Sequence, residues 1–356
     1  MSVEGKPLSL LLATVLVACS GAVPSAPGGS ASGTAVSRPA ASGTSAGTAP
    51  APPTKLTVGL GFVASVQFAQ FYLAQQAGYY RDAGLDVTLQ NKIDPELITL
   101  VGQGAVDIAS ADGTSVIAAV SQGIPVRYVA TIYATFPSVV FTRASSGIRS
   151  PADLKGRKLG TPGKFGTSWI MLQALLRSAG LTPDDLQIVP FPDFGQRVAL
   201  QRGVVDAATG FANNEPVQLE LSGEKPVVFH VDPVTPLPGP GLVTGVATLG
   251  GKREALRSFV AATLRAMQEI IQDPEKGLDA AVATVPELGR DRTTQRAILK
   301  ATIATWQSEY TRQHGLGAIN ATAWTKSVEF MRSLPDTAVA RPVTVNQLVT
   351  DELLQR

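Results

Sequence analysis

Lys55-Leu56-Thr57-Val58-Gly59-Leu60 alternates polar and apolar residues, the period-two pattern of a half-buried strand, and residues 68–77 follow with apolar side chains at helical spacing up to Gly78. A strand feeding a helix is one βα unit, and the unit repeats. Leu85-Asp86-Val87-Thr88-Leu89 reads as a strand, 95–102 as a helix, Val106-Asp107-Ile108-Ala109 as a strand, 114–122 as a helix and 126–133 as a strand. Strands alternating with helices predict a mostly parallel sheet covered on both faces. The pattern begins again at Lys158-Leu159-Gly160, followed by a helix at 167–179, a strand at 186–189, a helix at 195–202 and a strand at Val205-Asp206-Ala207-Ala208. Two α/β lobes are therefore predicted. Val139-Val140-Phe141-Thr142 and Leu242-Val243-Thr244-Gly245-Val246 read as the strands by which the chain leaves and re-enters the first lobe, which assigns 55–143 and 240–356 to lobe 1 and 144–239 to lobe 2. Long helices at 253–272, 293–310 and 322–333 are expected to pack around lobe 1. Ligands of open α/β sheets sit beyond the carboxyl ends of the strands, so the cleft should be lined by 61–70, 110–115, 161–169 and 210–215.

Composition narrows the function. The chain has 356 residues, 44% of them hydrophobic, enough for two globular units. Lys plus Arg number 30 against 28 Asp plus Glu, and a net charge of +2 does not suggest nucleic acid as a partner. One cysteine and two histidines, His230 and His314, far apart in sequence, leave no metal cluster to propose and little for a hydrolase triad.

Lys6 precedes an apolar run at 8–18 that is shorter than the roughly 20 residues a membrane-spanning helix needs, so 1–18 reads as an export signal. It ends in Leu16-Val17-Ala18-Cys19, which resembles the bacterial lipobox and implies that the Cys19 thiol is acylated. Several acyl chains on one residue anchor firmly where a single chain does not. From 20 to 54 nearly every residue is Ala, Gly, Ser, Thr or Pro, so 19–54 is expected to be a lipidated, disordered tether. Its reach is about 30 Å.

Further motifs point to a family. Gln67-Phe68-Ala69-Gln70-Phe71-Tyr72-Leu73-Ala74, Gly78-Tyr79-Tyr80, Ala83-Gly84-Leu85-Asp86-Val87, Gly104-Ala105-Val106-Asp107, Gln122-Gly123-Ile124-Pro125-Val126 and Ser150-Pro151-Ala152-Asp153-Leu154-Lys155-Gly156 occur in order across 55–250. With them the chain resembles the periplasmic binding proteins of ABC importers for thiamine precursors, riboflavin, nitrate and sulfonates. The resemblance implies a type II periplasmic-binding-protein fold, α/β in class, with a ligand cleft between two lobes. It also implies a monomeric solute-binding lipoprotein on the extracytoplasmic side of the cell membrane, an ABC permease and its ATPase as partners, and no cofactor. Val66-Gln67-Phe68, Gly163-Lys164-Phe165-Gly166-Thr167-Ser168-Trp169 and Asn213-Asn214-Glu215-Pro216-Val217-Gln218 are most similar to the binders of flat heteroaromatic vitamins. That favours riboflavin over a thiamine pyrimidine precursor or a nitrate- or sulfonate-type ligand. Eukaryotic relatives of the family include an enzyme that builds the thiamine pyrimidine from its own histidine with a cysteine-rich iron motif; this chain has no such cluster.

The candidate ligand contacts follow from the cleft loops. Lys164, Phe165, Thr167 and Ser168 open a helix whose N-H groups attract electronegative ligand edges, although Thr167 or Ser168 could simply cap it and Lys164 could be a solvated charge. Asn213, Asn214 and Glu215 offer amides and a carboxylate matching a pyrimidine or flavin edge, or the asparagines cap the helix near Pro216. Asp112 and Thr114 are the equivalent loop of lobe 1. Aromatic faces suit a planar ring; of Phe62, Phe68, Tyr72, Phe165, Trp169, Phe194 and Phe211, Phe68 and Phe165 are favoured because they precede helices at the cleft. No acid, base or nucleophile stands with a partner, so no catalytic residue is named and a receptor is preferred to an exported enzyme or a sensory lipoprotein.

Overall fold

Leu56 and Val58 are buried in β1 (Thr54–Gly59) while Lys55 and Thr57 are more exposed, which is the alternation the sequence shows. The computed structural model describes residues 52–91, 96–334 and 339–354. The export signal, Cys19 and nearly all of the tether lie outside the described residues, as does Pro95 at the expected start of a helix.

After a 3-10 turn (Val66–Phe68), α1 (Ala69–Gln76) buries Ala69, Gln70, Phe71, Tyr72, Leu73 and Ala74. Gly78 then takes φ 80, a left-handed conformation that glycine adopts without a Cβ penalty, and starts α2 (Tyr79–Asp82). β2 (Leu85–Gln90), α3 (Leu97–Gly102), β3 (Ile108–Asp112), α4 (Gly113–Ser121) and β4 (Val126–Thr131) complete this run. β1 pairs in parallel with both β2 and β3.

The chain next forms β5 (Ser138–Arg143), β6 (Lys158–Thr161), α5 (Gly166–Ser178), β7 (Gln187–Pro190), α6 (Gln196–Gln201), β8 (Ala207–Phe211), α7 (Glu215–Leu221) and β9 (Pro226–His230). The second sheet has the order β7-β6-β8-β5-β9. The strand at 139–142, expected in lobe 1, thus belongs to the second sheet. It pairs antiparallel with β8 on one side and β9 on the other, and Val139, Val140 and Phe141 are fully buried. Its apolar run demands cover on both faces, but nothing within the run says which sheet supplies it. The edge strand β9 was not among the expected elements; its Pro226 starts the strand, where a missing N-H is tolerated.

β10 (Pro240–Gly245) returns antiparallel between β3 and β4, completing the order β2-β1-β3-β10-β4. Gly241 is required there, because a Cβ would overlap the Tyr128 ring. α8 (Val246–Gly251), α9 (Arg253–Gln272), α10 (Pro274–Thr284), α11 (Arg292–Thr305), α12 (Glu309–His314), α13 (Ala321–Arg332) and α14 (Val345–Leu348) follow. The helix expected over 293–310 is two helices, because Ser308 and Thr311 form a capping box that starts α12. Phe259 of α9 stacks on Phe71 and Tyr80 with ring centroids 6.3 and 4.9 Å apart, joining α9 to α1 and α2 in the lobe 1 core.

Asp107 fastens this lobe's layers. Its Oδ2 accepts from Thr57 N at 2.9 Å, its Oδ1 from Lys252 Nζ at 2.8 Å, and its carbonyl from Thr244 Oγ1 at 2.6 Å. We expect Asp107→Ala to cost about 1–3 kcal/mol, because it strips partners from a part-buried N-H as well as a cation. Lys252→Ala, which removes the partly exposed cation of this pair and its 3.2 Å hydrogen bond to Lys55 O, should cost less than about 1 kcal/mol in the same urea unfolding experiment.

Candidate ligand-binding site

The parallel strands of both sheets end at one cleft, and their following loops enclose a cavity of about 260 Å³. Lobe 1 contributes Leu60, Phe62, Gln67, Phe68 and Gln70 after β1, and Ser110, Ala111 and Asp112 at the end of β3. Lobe 2 contributes Pro162 and Ser168 after β6, Phe194 and Gln196 after β7, Phe211 at the end of β8, and Asn214 and Glu215 after it. Tyr133, after β4, and Pro240, the first residue of β10, also line it.

Five of the residues picked from the sequence therefore line the cavity: Phe68, Asp112, Ser168, Asn214 and Glu215. Three more stand behind its wall. Thr167 Oγ1 donates to Asp112 Oδ2 at 2.9 Å and lies 3.5 Å from Thr114 Oγ1, which is fully buried. Asn213 is also fully buried, and its Nδ2 donates to Gln67 Oε1 at 2.8 Å, Thr302 Oγ1 at 2.9 Å and Tyr133 OH at 3.3 Å. Lys164 and Phe165 are not among the lining residues: Phe165 is 69% exposed and Lys164 Nζ lies 5.9 Å from the centroid of the Trp169 ring. The helix begins at Gly166, whose φ of 68 turns the chain sharply after Phe165. Neither Thr167 nor Ser168 caps it, since the N-cap position is Phe165. Asn214 occupies the N-cap of α7 but uses its side chain otherwise, its Oδ1 accepting from Gln218 Nε2 at 2.7 Å.

The wall's glutamines, Gln67, Gln70 and Gln196, were not picked out. Gln70 and Gln196 are 1% and 2% exposed, an anomaly that only packing reveals. Gln196 Nε2 donates to Thr209 O at 3.1 Å, which fixes the amide and leaves Oε1 free. Gln70 Oε1, Gln196 Oε1 and Asp112 Oδ1 are all buried without a hydrogen-bond partner among the described residues. Leaving a buried acceptor unsatisfied costs about 1–3 kcal/mol, so the wall is prepared for a ligand that donates. Rings face the cavity from both lobes, and Phe62 meets Phe194 edge-on with centroids 6.2 Å apart. Phe194 does this at φ 60, a strained conformation for a non-glycine residue.

Burial pushes the Asp112 carboxyl up to about 6, partly offset by the Thr167 hydroxyl. Burial likewise raises Glu215, against the pull of Phe211 N, which donates to Oε2 at 2.7 Å, and of Asn214.

The model of the NMT1/THI5-like family matches residues 65–277, from the first cavity loop to beyond lobe 2. The chain belongs to the NMT1/THI5-like family. Riboflavin-binding protein RibY of Chloroflexus aurantiacus is 32% identical to this NMT1/THI5-like protein over 98% of its chain and 96% of the relative's. A 4-amino-5-hydroxymethyl-2-methylpyrimidine phosphate synthase of Legionella pneumophila is 28% identical over 66% of this chain and 75% of its own. Among solved structures, the aliphatic sulphonate binding protein SsuA of Escherichia coli matches with a TM-score of 0.66 at 18% identity, covering 85% of this chain and 100% of that one. This NMT1/THI5-like protein therefore has the periplasmic-binding-protein fold, as its motifs imply, and its full-length relative is a binding protein.

The raised Asp112 gives a test of the site's electrostatics. Between about pH 6 and its ordinary value of 3.8 the folded protein holds this proton and the unfolded chain does not, so stability gains as pH falls through that window. Relative to Asp112→Asn, the wild type should gain up to about 3 kcal/mol on going from neutral pH to about 4, measured by urea unfolding. Parallel profiles for the two proteins would contradict the burial of this carboxyl.

Proposed function

We propose that this protein is the extracytoplasmic solute-binding lipoprotein of an ABC importer, that it captures riboflavin between its lobes, and that it delivers the vitamin to a permease driven by an ATPase. The observation that carries the reading is a cavity between two lobes with aromatic rings contributed by both, in a chain similar over its whole length to a riboflavin-binding protein. Flat rings stack on aromatic faces with a gain of about 0.5–1.5 kcal/mol beyond area burial. Amide and carboxylate groups at Gln70, Gln196 and Asp112 suit the polar edge of a flavin. The lipobox at Leu16-Val17-Ala18-Cys19 and the tether after it support anchoring to the outer face of a membrane.

A pyrimidine precursor of thiamine is the second reading, favoured by the cavity's volume, which is small beside the roughly 300–1,000 Å³ of ordinary ligand sites. For the enzymatic alternative of the same fold the chain offers little: His230 is exposed on β9, His314 is exposed and stacked on Tyr310 at the end of α12, and neither lines the cavity.

Titration with riboflavin, followed by flavin emission, should show saturable quenching with a submicromolar dissociation constant. No response to riboflavin together with tight calorimetric binding of the thiamine pyrimidine would transfer the assignment to the second reading. In cells, Cys19→Ala should abolish palmitate incorporation and move the protein out of the membrane fraction; labelling that survives the substitution would refute the anchor.

A further inference from the structure

Three features of the cavity wall concern charge. The first is its pair of carboxylates, Asp112 and Glu215, with no Lys, Arg or His among the described residues that line it. Among the described residues, two cations lie close by but are occupied elsewhere: Lys164 sits exposed near the Trp169 ring, and Arg197 of α6, whose charge reaches Glu215, donates to Gln201 Oε1 at 2.6 Å.

The second feature is what the protein places where α4 and α5 begin. Helix N-termini attract anions through their free N-H groups and dipole. Here Asp112 is the residue preceding α4, and the same carboxylate accepts from Thr167 in the first turn of α5. The protein's own negative charge thus stands where a ligand anion would profit from both helices.

The third is the sign of the unused hydrogen-bonding capacity. Gln70 Oε1, Gln196 Oε1 and Asp112 Oδ1 are acceptors. N-H and O-H groups of a ligand can satisfy them. The oxygens of a phosphate dianion or a sulfonate only accept, so they would leave all three unmet while facing the Asp112 carboxylate, ionised above about pH 6, and like charges brought together cost several kcal/mol.

We infer that the cavity selects the uncharged, donor-bearing form of its heterocyclic ligand and rejects phosphate esters and sulfonates, admitting riboflavin and excluding riboflavin 5′-phosphate. The choice of flavin rests on the function proposed above; the exclusion of anions rests on the wall alone.

Calorimetric titration of the wild type with riboflavin and with riboflavin 5′-phosphate, at a pH above the value of about 6 for Asp112, should give at least about 100-fold weaker binding of the ester. Asp112→Asn keeps the size of the side chain and removes its charge, and should narrow that ratio by about tenfold. Glu215→Gln serves the same purpose should the first variant fail to fold. In parallel, thermal unfolding of the wild type with millimolar inorganic phosphate or methanesulfonate should show no rise in Tm, because only a ligand of the folded state stabilises it. An ester that binds as tightly as riboflavin, or a Tm raised by either simple anion, overturns the inference. Failure of both flavins to bind would instead sink the riboflavin reading, and the simple anions, with the thiamine pyrimidine and its phosphate as a second pair, would still decide whether the cavity rejects anions.

Discussion

The buried amide of Asn213 pins lobe 2 to lobe 1. Its Nδ2 reaches Gln67 of the first cavity loop, Tyr133 of the crossing segment and Thr302 of α11, all buried side chains. An amide taken out of water must find such partners, so the loop that follows β8 has one place to sit. That placement brings Asn214 and Glu215 to the cavity wall. Further contacts cross the same cleft, among them Thr167 to Asp112 and to Thr114 and Phe194 against Phe62. Each net hydrogen bond contributes only about 0.5–1.5 kcal/mol, because water can replace it. A ligand that bridges both walls adds its own contacts to the bonds and the apolar packing of Val217 that join the lobes.

The fold leaves the chemistry of that ligand open, since function resides in the site and not in the architecture. A sulphonate binder and this chain share the scaffold at 18% identity. What differs between ligands of one scaffold must be written in the wall, and here the wall is aromatic, rich in acceptors and acidic. Phe194 shows that the arrangement carries a local cost: its φ of 60 is retained at a position where the ring faces the cavity and meets Phe62.

Much of this was legible in the sequence. Alternation in β1 and period 3.6 over 253–272 marked elements whose burial is set locally, and α9 spans those same residues. The loops at the strand ends pointed to Phe68, Asp112, Ser168, Asn214 and Glu215 because topology alone brings such loops to the cleft. Partner choice was not legible. The strand at 139–142 reads the same whichever sheet receives it, and the break between α11 and α12 depends on the cap at Ser308. Gln70 and Gln196 carry no periodic signal that separates a buried wall residue from a solvated one. Asn213 was picked for its chemistry, yet its amide N-H groups are given to first-lobe oxygens.

The most direct measurement is a crystal structure of the protein grown with riboflavin. The account predicts the flavin ring between the lobes, with donors of the ligand within hydrogen-bonding distance of Gln70, Gln196 or Asp112 and aromatic side chains of both lobes against its faces. Flavin bound instead in the separate pocket beside Tyr128, Asp232 and Tyr310, or on the outer surface of either lobe, would contradict it.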